Sequence, residues 1–466
     1  MSQAGLVAPR RSQGLKLLLV CGLALVMSIT ALFVFLLLMD RTNRAREVAD
    51  EVGSVVGGPQ TFLGPVLAVP YVLPADDPKQ PPARGVFTVF PSVGEAKIAA
   101  KSEVRRRSLF KVPIYKADIA FRAAFDLTGV AQQAPQGAVL DWSRAELLVG
   151  ASDARGAQSD VVLTVAGQPR AVAPAQALAE TTLSTGSDAA SRRTYGDNLN
   201  LRFFGASAAG LAVPDARFDV AAELKFSGAQ RLAVMAFAKT TTLSVTGDWP
   251  HPSFDGGFLP TRHAIDDKGF NATWSVPFIA RGVPAQGASD VLSRLGQAAL
   301  GVSFVEPANP YQSVSRSLKY APMFIGLVFL AYFLFETAQG KRVHPAQYVL
   351  IGLAQIVFYL LLLSIAERTG FDGAFVIAAG ATVGLISAYA GWVFESRKQG
   401  LVALGAFTLL YALIYVLMRL EDLALLIGAV VSFAAIAAVM YFTRRIDWYG
   451  AAAPPVEPGL ASKEVV

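Results

Sequence analysis

An uncharged run from Tyr320 to Phe335, bracketed by Lys319 and Glu336, is followed after a polar stretch by a second apolar run beginning at Tyr348. The first run is about sixteen residues, near the lower limit for one helical crossing at a rise of about 1.5 Å per residue. Snorkelling by Lys319, with Tyr320 and Tyr332 near the ends, lengthens it. Val343-His344-Pro345-Ala346-Gln347 is too short to carry a chain back through a bilayer, so the two runs form an antiparallel helical hairpin. The chain enters a membrane here, and the residues before it hang on one side.

The composition is that of two different proteins joined. Across 466 residues the hydrophobic fraction is 53% and the mean hydropathy +0.44, too high for one soluble body. The excess comes from the C-terminal block. The net charge of +6 does not point to nucleic acid, because many basic residues sit in short loops at membrane ends. Cys21, the single cysteine, lies in the first apolar run and excludes an intramolecular disulfide. The polar middle, roughly 270 residues, is long enough to bury its own core.

Residues 1–16 read as a cytoplasmic N-terminus carrying Arg10, Arg11 and Lys16. Leu17 to Met39 (17–39) is long enough to span. It is too long for a signal h-region, and Leu38-Met39-Asp40-Arg41 offers no small-x-small cleavage site, so it reads as an uncleaved signal anchor. The helix continues as a juxtamembrane segment, 40–58. Ala45, Val48, Val52 and Val55 form its expected apolar stripe, Arg44–Glu47 and Arg46–Asp50 pair on the other face, and Gly57-Gly58-Pro59 ends it. The extension reaches roughly 25 Å past the bilayer and packs the soluble domain onto its anchor.

Within 40–318 the apolar period changes to two. Ile119, Phe121, Ala123 and Phe125 alternate with polar or small residues, as do Leu199, Leu201 and Phe203, and Phe218 to Phe226. These are strands with one buried face. Ser227-Gly228-Ala229 is expected to turn into a strand at Leu232–Ala238, with Thr241–Thr246 continuing an antiparallel meander. Leu73–Arg84, Thr128–Gly137 and Thr181–Asn198 read as exposed loops. The expected fold is a large antiparallel all-β sandwich inserted into an α-helical membrane protein.

The membrane block continues with crossings expected at 319–336, 347–366, 373–394, 400–418 and 423–442, six in all with the first, and a cytoplasmic tail at 443–466. Lys341 and Arg342, Arg397 and Lys398, and Arg444 and Arg445 fall on alternate loops. Positive-inside places those loops and both termini in the cytoplasm and the β-rich domain in the periplasm.

Motifs for chemistry are sparse. His251, His263 and His344 have no ligand spacing, and no phosphate loop or nucleophile elbow occurs, so neither metal nor cofactor is expected. His251, Ser253 and Asp255 are neighbours in sequence, which is not the spatial convergence a triad needs. Arg105-Arg106-Arg107 reads more simply as a charged strand edge than as a lipid-headgroup site. In the membrane block the carboxylates, Glu336 among them, lie at the ends of their runs. Gln355 and Tyr359 are the conspicuous polar groups inside, read as interhelical hydrogen bonding or as a substrate pathway. Gly380 and Gly384 permit close helix contact.

Three groups of segments in order give the chain a resemblance. The first is Arg44-Ala45-Arg46-Glu47-Val48 with Gln60-Thr61-Phe62-Leu63-Gly64-Pro65 and Val69-Pro70-Tyr71. The second is Trp249-Pro250-His251-Pro252-Ser253-Phe254-Asp255-Gly256 with Phe258-Leu259-Pro260 and Gly269-Phe270-Asn271-Ala272-Thr273-Trp274. The third is Lys319-Tyr320-Ala321 with Phe335-Glu336 and His344-Pro345-Ala346-Gln347-Tyr348. Across nearly its whole length the chain resembles the CreD family of bacterial inner-membrane proteins. The resemblance implies an envelope-integrity role linked to a two-component sensor–regulator system, and carries no residue-level activity. Asn309-Pro310-Tyr311 departs from it, an Asp being expected before the Tyr.

The leading expectation is a non-catalytic inner-membrane protein in the lipid bilayer, its periplasmic domain binding an envelope protein, lipid or glycan. A transporter or lipid-handling protein with a pathway near Gln355 is the alternative, and a periplasmic hydrolase using His251 and Ser253 the third.

Overall fold

The computed structural model describes residues 13–75, 79, 81–107, 110–185, 192, 194–288, 290–305, 310–339, 343–419 and 424–444. Lys341, Arg342, Asn309, Glu421, Asp422 and the tail beyond Arg444 lie outside them. The chain divides into two compact units, one of residues 45–307 and one of residues up to 44 together with those from 308 onward.

Helix α1 (Gln13–Val55) is continuous. It ends where Gly57 (φ 98°) and Gly58 (φ 60°) take the left-handed region, Gly58 N donating to Gly53 O at 2.7 Å. The expected stripe is corrected at its end. Ala49, Val52 and Val56 pack against Val112, Ile114 and Ala229, whereas Val55 is 76% exposed. At about 3.6 residues per turn the face through Ala45 comes back into phase at Val56, not Val55. Neither pairing expected on the charged face forms among the described residues. The ion pair the helix makes there is Glu51 with Arg107, at 2.6 Å.

The β unit is built of two sheets. The larger has eleven strands: β1 (Gln60–Leu73), β2 (Ala83–Val89), β5 (Val139–Leu140), β6 (Glu146–Ala151), β9 (Ala173–Pro174), β10 (Glu180–Ser184), β11 (Asn198–Ser207), β13 (Arg231–Met235), β15 (Pro252–Gly256), β18 (Gln286–Ala288) and β19 (Ala299–Phe304). The smaller has eight: β3 (Val93–Arg107), β4 (Phe110–Asp126), β7 (Val162–Val165), β8 (Gln168–Arg170), β12 (Arg217–Ala229), β14 (Thr240–Gly247), β16 (Arg262–Asp266) and β17 (Gly269–Val276). Ile119, Phe121, Ala123 and Phe125, Leu199, Leu201 and Phe203, and Val220 to Phe226 at every second residue are all buried. The inner faces share one apolar core.

Three sequence expectations are corrected here. The meander does not form: β12 pairs with β4 and β7, β13 joins the other sheet beside β1 and β19, and β14 returns to pair with β3 and β17. The reason lies in β13, buried at every position, which marks an interior strand rather than one with a wet face. The sheets are not wholly antiparallel, since β1–β13 and β3–β14 run parallel. Thr181–Ser184, expected as loop, is the body of β10, paired to Asn198–Leu201. Arg105–Arg107 does close the end of β3, beyond the reach of β14, and is exposed.

Gly64 and Pro65 sit where the register of β1 against β6 shifts, between Leu63 and Val66, a bulge that tolerates the missing N–H of proline. The chain crosses from β13 to β14 at residues 236–239. There the Phe237 ring lies against Gly64 of one sheet and Gly94 of the other, and a Cβ at either glycine would stand 2.6–2.7 Å from that ring. Trp274 is fully buried and donates from Nε1 to Phe258 O at 3.1 Å. Phe254 packs edge-on to it, with His263 5.4 Å away. Trp249 Nε1 donates to His251 O and Val305 O. Tyr71 lies opposite Gly85, whose missing side chain leaves room for the ring.

In the helical unit, α2 (Pro310–Lys319) meets α3 (Ala321–Gln339) at a 55° bend. Then come α4 (Pro345–Val393), α5 (Arg397–Arg419) and α6 (Ala424–Thr443). α4 is broken at Gly370, φ 77° and ψ 174°. The rings of Phe358 and Phe375, on either side of the break, are 5.6 Å apart. A straight helix would separate them by about 25 Å, so the chain folds back there. Among the described residues three helices are long and apolar enough to cross a membrane, or four with the bent pair as one span. Gly380 and Gly384 face open space, contrary to the expected close contact. Close approaches occur instead at Gly352, against Met27 and Phe329, and between Gly391 and Gly400, where α4 turns into α5.

Candidate functional site

The β unit holds a cleft of about 660 Å³ along the last turns of α1, beneath the 194–200 segment. Gln60 lies behind the lining and ties Gly57, Ser152 and Asp153 of it together. That amide is fully buried; its Nε2 donates to Gly57 O (2.8 Å) and Asp153 O (2.9 Å), and its Oε1 accepts from Ser152 Oγ (3.2 Å) and Asp153 N (3.3 Å). One side chain thus joins the end of α1 to the loop after β6, and all of its hydrogen-bonding positions near this junction are filled. Ser227 Oγ donates to Val56 O and Ala229 N to Gly58 O, fixing the same turn from the other sheet.

Among the described residues that line the cleft, charge is balanced. Arg46 and Arg155 face Asp50 and Asp153. Arg155 holds Asp153 through a fork, Nε at 3.0–3.1 Å and Nη2 at 2.6 Å. Against the burial that raises it, these bonds keep the Asp153 carboxyl below its ordinary value. Tyr195 lines the cleft, its hydroxyl 3.0 Å from Thr61 Oγ1.

Behind Tyr195 lies a buried ion pair. Arg231 is 2% exposed, its guanidinium 5.9 Å from the Tyr195 ring centre. Nε and Nη2 both reach Asp255 Oδ1 at 2.9 Å, and Ser303 Oγ donates to Asp255 Oδ2. The registers Arg231↔Ser303 and Asp255↔Gly301 bring them together, and a side chain at Gly301 would collide with both. Tyr115 donates to Arg231 O at 2.8 Å, and burial pushes its phenol well above the ordinary value.

This arrangement changes the reading of the Trp249–Gly256 segment. Both Asp255 oxygens are engaged by Arg231 and Ser303, while His251 and Ser253 are exposed. The three residues do not converge as a triad. Among the described residues no group of three or more His, Cys, Asp or Glu is placed to hold a metal.

The third group of motif residues meets in the helical unit. Glu336, expected as a terminal charge, is 5% exposed. It accepts from Lys16 Nζ, Val343 N (2.8 Å) and Tyr348 OH (2.7 Å). His344 caps α4 through Nδ1 and Ala346 N, with Pro345 in the first turn. Gln355 is buried and donates to Phe324 O at 3.5 Å, and Tyr359 packs on Phe358.

Of the residues singled out in the sequence, Gln60 supports the cleft lining from behind, Gly64, Pro65, Trp249, Phe254 and Trp274 belong to the core, and Glu336, His344 and Pro345 form the helical junction. Gln347 joins the junction through its N–H, which donates to His344 O at 2.9 Å, whereas Arg44, Glu47, Pro252, Pro260, Lys319 and Tyr320 are joined to none of these polar clusters by the bonds described. Sequence reasoning missed Tyr195, Arg231, Ser152, Asn198 and Asn200. A signal existed for Arg231, a lone charge opening the apolar run Leu232–Met235.

A family model described as Inner membrane protein CreD matches residues 12–449. The Inner membrane protein CreD of Escherichia coli (strain K12) is 28% identical over 452 residues, 95% of either chain.

Proposed function

Because the chain belongs to the CreD family of inner membrane proteins, we propose that it is a six-span protein whose β unit, on the periplasmic side, binds an envelope component in support of envelope integrity. The observation that carries the binding role is the cleft of about 660 Å³, inside the range of small-molecule sites. It lies within a unit whose Asp255 is engaged by an arginine and a serine. Six crossings are supported by α1, the α2–α3 pair, two arms of α4 folded at Gly370, α5 and α6. Orientation is supported by the alternating loop charges. The hydrogen bond from Gln355 to Phe324 O supports a packing role for that glutamine over a transport pathway.

Two measurements on the intact protein test this. With Cys21 replaced by serine, an impermeant thiol reagent on whole spheroplasts should label Ser159→Cys and spare Lys398→Cys; the reverse pattern rejects the orientation. Purified in mild detergent, the protein should co-sediment with isolated envelope material. Failure to retain any lipid, glycan or protein of the envelope rejects the binding role.

A further inference from the structure

The geometry points to a saccharide as the ligand of the cleft in the β unit, a neutral, polyhydroxylated sugar of the kind found in envelope glycans. This rests on the proposed envelope-binding role and names its ligand class.

The lining decides the class. Among the described lining residues two arginines are matched by two aspartates, and the Arg155 fork is already closed on Asp153. Among the described residues no lysine lines the cleft. An anionic headgroup or free phosphate would therefore meet as much negative charge as positive, whereas such sites are built from clustered cations. An acyl chain would need an apolar wall, and Ala49, Pro59 and Leu199 are too few and too small to make one. A peptide recognised in extended form needs pockets for alternate side chains, and the lining has none of that kind.

What remains is dense in neutral groups that both donate and accept. Asn198, Asn200 and Gln230 offer amides, Thr194 a hydroxyl, and Tyr195 the face of its ring; the Tyr195 hydroxyl is turned to Thr61 and that of Ser152 to Pro59 and Gln60. Each amide can bridge adjacent hydroxyls of a sugar. Gln230, held at φ 64° at the turn between β12 and β13, is one of the lining residues. Asn198 and Asn200 are exposed, alternate with the buried Leu199, and share one face of β11. Opposite them stand Arg46, Asp50 and Ser54 on one face of α1. A sugar bound here bridges α1 and β11 and so orders both.

The test uses the full chain in detergent with N,N′-diacetylchitobiose as probe, read by hydrogen exchange. Protection should appear in the peptides covering 46–59 and 194–200. In Asn198→Ala/Asn200→Ala it should need about tenfold more sugar, or ~1.4 kcal/mol, while exchange elsewhere in the β unit stays unchanged, showing that the fold is intact. Inorganic phosphate and phosphatidylglycerol vesicles should leave both peptides unprotected. Absence of protection by the disaccharide, or equal protection of the double variant, overturns the proposal. So does protection by phosphate, vesicles or a tetrapeptide in its place. If intact protein still co-sediments with envelope material while the disaccharide fails, the ligand class falls and the envelope-binding role stands.

Discussion

Arg231 Nη2 lies 2.9 Å from Asp255 Oδ1, across the intervening strand β19 and almost sealed from water. Two charges so placed depend on each other, because each has given up its hydration for its partner. Asp255→Leu should cost about 3–5 kcal/mol by leaving the guanidinium without its carboxylate. Arg231→Met/Asp255→Leu should recover much of that loss. Thermal unfolding of the intact protein in detergent measures both. A single variant as stable as the parent refutes the coupling.

Gly64 is fixed by space. A Cβ there would stand 2.7 Å from the Phe237 ring, which the second sheet confines at Gly94. Gly64→Ala should therefore cost about 1–3 kcal/mol through overpacking. Phe237→Leu in the same chain should make the alanine better tolerated, a positive coupling in a double-mutant cycle. Simple additivity would show that the two positions do not touch.

The part of this fold legible in the sequence was the part written in periodicity. Strands β4, β11 and β12 each have one wet face, so their alternation announces them. β13 is buried on both faces, and its apolar run carries no period from which a partner can be read. Adjacency in sequence points it to β12 and β14, whereas its partners are β1 and β19. The fold-back at Gly370 was visible as a charged interruption between apolar runs. The cleft was not visible. Its groups come from four separated stretches, around residues 46–59, 152–155, 194–200 and 230, and none is distinctive alone. Glu336 is not recognisable as interior from the sequence, because its position at the end of an apolar run is equally that of a solvated boundary charge. Only Lys16, 320 residues away in sequence, makes it an interior one.

Asp126 gives a pH dependence with a definite sign. Hydrogen bonds from Thr128, then the Arg217 guanidinium at 3.0 Å, lower its carboxyl from 3.8 to about 2. A depressed carboxylate contributes stability that is present above its unfolded value and lost as pH falls through the folded one. The contribution therefore disappears between 3.8 and about 2. Being solvent-exposed, the effect is small and weakens with salt. Thr128→Ala should move the carboxyl titration back toward 3.8 and flatten the acid limb of the melting-temperature profile. An unchanged profile in low salt would assign that limb to other groups.

Glu336 presents the same electrostatic problem in an apolar setting. Three donors converge on it: the Lys16 ammonium, the Val343 amide and the Tyr348 hydroxyl. Lys16 also donates to Val343 O at 2.9 Å, so one cation holds both the carboxylate and the turn that starts α4. Removing the ammonium leaves a carboxylate that is 5% exposed with two neutral donors. Lys16→Met should then cost about 3 kcal/mol or more, whereas Tyr348→Phe, which removes one charge-assisted hydrogen bond, should cost about 1.5–3 kcal/mol. Lys16→Met/Glu336→Leu should be more stable than Lys16→Met alone, since the charge that lacked compensation is gone. Detergent-resistant folding, read as the temperature of half-aggregation of the intact protein, ranks the three variants. If the double variant is the least stable, the ammonium and the carboxylate act independently, and the junction between α1, α3 and α4 is held by apolar packing instead.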